Sequence, residues 1–132
     1  MFTNGTMTIF NNHTTANKDI YYIPHKIENV FWDSVEAVSE GTQADKSDEV
    51  VVYIPYDKND FSDYIDPKRY DSSLENVWTI KEGDFIVKGD ITNVGNIETI
   101  KTLKDYEVFT IYFVDINDFG SNNMQHIKVK GK

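Results

Sequence analysis

The stretch that decides the fold is Trp78-Thr79-Ile80-Lys81-Glu82-Gly83-Asp84-Phe85-Ile86-Val87-Lys88-Gly89. Its apolar residues are β-branched or aromatic, types whose stiff side chains pack well on a pleated surface. Gly83 and Gly89 interrupt the run and Gly95 follows it, each a point where a residue without Cβ permits a tight turn or a bulge. A second run of the same kind, Tyr106-Glu107-Val108-Phe109-Thr110-Ile111-Tyr112-Phe113-Val114, comes after a short helical segment. The two read as paired strands that carry no chemistry.

The rest of the chain extends that pattern. Thr6 to Phe10 places Met7 and Ile9 on one side, and Asp19 to Ile23 is a Tyr-rich strand stopped by Pro24. From Lys26 to Val38, the residues Ile27, Val30, Phe31, Val35 and Val38 fit a helical stripe, but Val30, Trp32 and the β-branched content favour a strand. Ser39 to Asp48, polar with Gly41 inside it, reads as a loop, and Glu49 to Ile54 as a strand ended by Pro55. Asn96 can cap a helix running to about Asp105, with Ile97, Ile100 and Leu103 on one face and Lys101 and Lys104 near the end that favours cations. Residues 106 to 116 form a central strand, with Phe109, Ile111 and Phe113 on one face and Val108, Tyr112 and Val114 on the other. In the last strand Ile127 and Val129 point in while His126, Lys128 and Lys130 point out. The expectation is a single, mainly β domain over residues 1–132, a small β-barrel or sandwich of about seven short strands with one helix at 96–105 and long loops.

Composition narrows the function. There is no cysteine, which removes disulfide frameworks, thiolate metal sites and cysteine nucleophiles and fits a reducing compartment. No basic-then-apolar leader opens the chain and no apolar run approaches the roughly 20 residues needed to span a bilayer, so neither secretion nor membrane insertion is expected. Twenty-two acidic against thirteen basic residues give a formal charge of −9, which opposes binding to phosphate backbones because counterion release requires Lys/Arg clusters. An oligonucleotide-binding barrel would need basic residues interleaved with stacking aromatics. The charge instead suits solubility, a basic partner, or a passage through which DNA slides without sticking.

The constellations able to carry chemistry fail their spacing tests. Asp57, Asp60, Asp63 and Asp66 recur every third residue, and clustered carboxylates can bind Ca²⁺ or divide acid and base roles. A calcium loop starting at Asp57 needs Gly sixth and Glu twelfth; Ser62 and Lys68 stand there. His13, His25 and His126 are scattered, no Gly-x-Ser-x-Gly elbow aims a nucleophile, and no Gly-Lys-Ser/Thr follows the glycines. No catalytic, cofactor-binding or metal-binding residue is assigned, and an enzyme is not expected. The residues singled out are Tyr56, Asp57, Asp60, Phe61, Asp63, Tyr64 and Asp66 in the irregular segment Tyr56 to Leu74, which is too long for a hairpin turn. Its aromatics, Tyr70 among them, offer apolar area to bury on the domain or on a neighbour.

Four segments carry a resemblance: Trp78-Thr79-Ile80 through Gly83-Asp84-Phe85-Ile86-Val87-Lys88-Gly89, then Val108-Phe109-Thr110-Ile111, the closing Gln125-His126-Ile127-Lys128-Val129-Lys130-Gly131-Lys132, and Asp48-Glu49-Val50-Val51-Val52-Tyr53-Ile54-Pro55. Their wording resembles a small group of proteins encoded in the structural gene clusters of tailed phages and prophages of Gram-positive bacteria. Where members of that group carry a basic loop before the final strand, this chain has Asn117-Asp118-Phe119-Gly120-Ser121-Asn122-Asn123. The resemblance implies a barrel, and a virion protein at the head-to-tail junction, assembled in the host cytoplasm. Its role would be that of a head-completion or stopper subunit joining the portal-adaptor assembly to the tail. Proteins of that context form rings of roughly six or twelve copies, so the expected partners are further copies of the chain, the portal-adaptor and tail or tail-terminator proteins, with no sequence-specific nucleic acid and no membrane. The 56–74 segment and the Ser39 to Asp48 loop would carry the ring contacts, or the four aspartates would face the channel. A tail terminator or minor capsid protein is the near alternative. A small acidic immunity or inhibitor protein that covers a basic partner is the alternative from another class.

Overall fold

The computed structural model describes residues 3–35, 49–71, 73–74 and 76–132. Six strands, β1 (Gly5–Thr14), β2 (Ile20–Val35), β3 (Glu49–Pro55), β4 (Phe85–Lys88), β5 (Val108–Asn117) and β6 (His126–Gly131), pair antiparallel throughout and close into a barrel in the order β1–β2–β3–β6–β5–β4. The mainly β class is as the sequence implies, and of the two architectures it left open the barrel is the one formed. The 39–48 loop and the end of the 26–38 strand lie outside the described residues.

The two short runs around Pro24 are one strand. Pro24 pairs with Phe10 of β1, while β3 joins β2 only from Phe31 onward. This half of β2 therefore has a ladder on one side only, where a residue without an N–H is tolerated. Of the Trp78–Gly89 stretch only Phe85–Lys88 is a strand, because residues 79–84 dip into the barrel through Ile80 and turn at Gly83, whose φ of 94° is a left-handed value that a Cβ would strain.

The expected helix at 96–105 is reduced to a single 3₁₀ turn, Ile100–Leu103. Tyr22 and Ile97 exchange backbone hydrogen bonds of 2.7 and 3.0 Å as an isolated bridge, which holds the chain extended where a helix would begin. Thr99, not Asn96, caps the turn by accepting from the Lys101 amide. The apolar stripe nevertheless points inward. Ile97 and Leu103 join Phe10, Val87 and Ile91 in a second small core, where residues 89–107 fold over the outer face of β1 and β4.

The main core fills the barrel with Met7, Ile9, Ile27, Val52, Ile54, Ile86, Ile111, Ile127 and Val129 among others. In β5 the register against β6 slips between Ile111 and Phe113. This bulge inverts the alternation, so Val114 and Ile116 pack on the core while Tyr112 and Phe113 both stand outside. Phe113 was expected beside Phe109 and Ile111, and the bulge is the reason that it is not.

Candidate assembly surface

Antiparallel alternation puts three connections at one end of the barrel: 15–19, 56–84 and 118–125. The longest of them closes that end. Trp78 and Ile80 enter the main core, with Tyr56, Phe61 and Tyr64 packed against it. The rings form a connected set, with Tyr56–Phe61 at 4.7 Å, Phe61–Tyr64 at 5.3 Å, Tyr64–Trp78 at 5.0 Å, and His25 of β2 stacked on Trp78 at 4.2 Å. Burial raises the Tyr64 phenol to about 12 and pushes Tyr56 upward as well. Aromatic contacts of this kind add about 0.5–1.5 kcal/mol each beyond the area they bury, so the segment is anchored by its own rings.

The seven residues singled out in the sequence therefore divide. Tyr56, Phe61 and Tyr64 turn inward, and Asp57, Asp60, Asp63 and Asp66 turn to solvent. Asp60 accepts from the Ser62 amide and Asp66 from the Lys68 amide, both at 2.9 Å, and hydrogen bonding to Ser62 holds the Asp60 carboxyl below the usual carboxylate range. None of the four is in an ion pair with a described lysine or arginine. Among the described residues no group of three or more His, Asp or Glu side chains is placed to hold a metal.

A cleft of about 420 Å³ runs between the β1–β2 hairpin and this segment, lined by Asn11, His13, Tyr21, His25, Asp63, Tyr70 and Trp78 among others. His25 and Trp78 separate it from a smaller cleft of about 230 Å³ that holds Asp60 and Asp63. Burial lowers the His25 imidazole, with Asp63 and Asp60 opposing. Tyr70 donates to the Asn12 carbonyl at 2.7 Å, and the buried His13 Nδ1 has no hydrogen-bond partner.

Beneath the cleft lies a network that no sequence motif announces. The Asn11 amide donates to the Thr79 carbonyl and to Asp84 Oδ2, both at 2.8 Å, and accepts from the Thr79 amide at 3.0 Å. Lys81 Nζ meets Asp84 Oδ1 at 2.7 Å. Burial pushes the Asp84 carboxyl up, against the pull of Lys81 and Asn11. The network ties the barrel-end segment to β1. One signal for it was legible: Met7, Ile9, Asn11 and His13 share one face of a strand, so the apolar alternation turns polar where a buried partner is needed.

The opposite wall has a different character. Lys128, Lys130 and Lys132 stand over the rings of Tyr53, Phe113 and Tyr112 at 5.8, 5.0 and 5.1 Å, aromatics that belong to β3 and β5 on either side of the lysines. Lys132 also lies 3.8 Å from Glu49, whereas Lys128 and Lys130 have no ion pair to a described carboxylate.

The family described as "Family of unknown function (DUF6751)" matches residues 2–132. No curated protein and no solved structure matches the chain.

Proposed function

We propose that this chain, which belongs to the family of unknown function DUF6751, is a virion structural protein of a tailed phage or prophage. In this reading it is a head-completion or stopper subunit that forms part of a ring between the portal-adaptor and the tail. The observation that carries the proposal is the closed end of the barrel, where Tyr56, Phe61 and Tyr64 pack on the chain's own core and Asp57, Asp60, Asp63 and Asp66 are exposed without an ion pair to a described lysine or arginine. Closure of the barrel supports it in a second way: among the described strands the main unpaired edge is the half of β2 before Phe31, so association must rely chiefly on side chains and connections. In a ring the carboxylates have two uses, contact with the neighbouring copy or repulsion of DNA in the channel over about 8–10 Å at physiological salt.

The same carboxylates support a second reading, a small acidic inhibitor that covers a basic cleft. That reading predicts a tight heterodimer and no place in a particle. Mass spectrometry of purified virions separates the two. Presence at ring stoichiometry relative to the portal is the expected result, and absence from intact particles overturns the neck reading.

A further inference from the structure

Of the seven large hydrophobic side chains exposed among the described residues, four belong to the β5–β6 hairpin: Tyr112 and Phe113 on its outer face, and Phe119 (77%) and Met124 (63%) at its tip. The tip is a structured turn. Met124 N–H donates to the Ser121 carbonyl at 2.9 Å, Gln125 Nε2 donates to the Gly120 carbonyl at 3.1 Å, and Gly120 takes a φ of 84°. The same hairpin presents Lys128, opposite Asp115 in the ladder, and Lys130, neither of them in an ion pair with a described carboxylate. Exposed aromatics set among cations on a rigid hairpin have the makeup of a contact surface for an acidic partner.

An acidic surface is present on the molecule itself. In the closed order β1–β2–β3–β6–β5–β4, β6 stands three strands from β1 in either direction and so on the opposite wall. Asp60 and Asp63 line clefts beside His25 of β2, on the β1 side. The hairpin tip and the acidic segment both lie at the same end of the barrel. Two complementary surfaces at one level and on opposite walls are what a head-to-tail contact between identical subunits requires, and such contacts generate closed rings when the rotation closes.

Asp57 stands in the turn after β3, where the Tyr56 N–H donates to the Gln125 carbonyl of the hairpin tip in the same chain, so only Asp60 and Asp63 belong to the other wall. We infer that the outer face and tip of the β5–β6 hairpin dock on the Asp60–Asp63 surface of a second copy of this chain, with Lys128 and Lys130 meeting its carboxylates. This rests on the ring reading proposed above and assigns the carboxylates to the subunit contact instead of the channel.

Sedimentation from about 10 µM to about 1 mM, at low and high salt, tests the inference; an association weaker than about 1 mM is too weak for a ring contact. The variants are K128E/K130E on one wall and D63K on the other, the latter chosen because the Asp63 side chain holds no turn of its own, unlike Asp60, which accepts from the Ser62 amide. Each is first checked for native circular dichroism. The expected result is that the unmodified chain associates and loosens at least tenfold in high salt, that each variant alone is monomeric, and that mixing the two restores association through the swapped charges. If either variant fails to fold, the single neutralising changes K130Q and D63N should still reduce the salt dependence. A monomer up to about 1 mM, association indifferent to the variants, or failure of two folded variants to associate on mixing each overturn it. Binding of a fluorescent oligothymidylate that is lost in K128E/K130E, with self-association unchanged, also overturns it and makes the wall a nucleic-acid surface. None of these outcomes depends on virion content, so the docking and the neck reading fail separately.

Discussion

Replacing Asn11 by alanine should be among the most damaging single changes of a polar residue in this protein. The side chain is 3% exposed and its amide makes three hydrogen bonds, to the Thr79 carbonyl, the Thr79 N–H and Asp84 Oδ2, at 2.8 to 3.0 Å. Truncation leaves a buried N–H, a buried carbonyl and one carboxylate oxygen short of a partner. A buried neutral group left unpaired costs about 1–3 kcal/mol, and a charged one more. Asp84 keeps Lys81 at 2.7 Å, which limits its share. The sum is roughly 3–5 kcal/mol, a large fraction of the 5–15 kcal/mol typical of a domain. At about 3–5 °C per kcal/mol for a chain of this size, the melting temperature should fall by roughly 10–20 °C. Urea unfolding followed by tryptophan fluorescence measures the loss, with the exposed Asn123→Ala as control. Adding Asp84→Ala should cost much less than in the unmodified chain, since the two share one network. A loss below about 1 kcal/mol for Asn11→Ala, or strict additivity with Asp84→Ala, would refute the reasoning.

Gly131 is buried in β6, and a Cβ there would stand 2.9 Å from Phe109 Cβ, an atom fixed to the neighbouring backbone, and 3.4 Å from the Thr110 carbonyl. Gly131→Ala should cost about 1–3 kcal/mol by overpacking; a melting temperature equal to that of Lys130→Ala would show that the barrel widens freely. His25 is held below its ordinary 6.5 by burial, so the folded state binds fewer protons than the unfolded one as pH falls below that value. The stability from its neutral form is full above about 6.5 and declines toward pH 5, where the unfolding midpoint should drop; His25→Phe, which keeps a ring on Trp78, should flatten that decline. A His25 resonance titrating at or above 6.5 contradicts this, and would mean that Asp60 and Asp63 outweigh burial.

The fold was legible where local pattern and tertiary demand coincide. Met7 and Ile9, Ile127 and Val129 alternate as strand residues do and are buried, and Gly83, Gly89 and Gly95 all take positive φ as turn glycines. It was illegible where a distant partner decides. The bridge from Tyr22 to Ile97 suppresses a helix that the Ile97, Ile100 and Leu103 spacing favours, and the β5 bulge turns Phe113 outward. The candidate surface was half legible. Four aspartates at a spacing of three announce themselves in any sequence, but the inward turn of Tyr56, Phe61 and Tyr64 depends on Trp78, some twenty residues away. The lysine and aromatic wall needs the register of three strands, since Tyr53 comes from β3 and Phe113 from β5.

A net charge of −9 describes what a partner senses at a distance, not what it meets at contact. Screening at physiological salt confines exposed charges to about 8 Å, so a surface docking on β6 responds to Lys128 and Lys130 and little to carboxylates on the far wall. The net charge opposes phosphate binding only as a total, and cations interleaved with aromatics are present locally, between β3, β6 and β5. What tips this wall toward an acidic protein surface is its apolar content: Phe119 and Met124 are exposed side chains of the 118–125 connection, whereas single-stranded nucleic acid is followed along a positive groove with bases stacked in succession. Exposed apolar side chains need a recess to be buried, and the clefts flanking His25 and Trp78 supply one on the wall where Asp60 and Asp63 lie. Charge would then set the orientation of the copies and hydrophobic burial the strength, so raising the salt should weaken the contact without abolishing it.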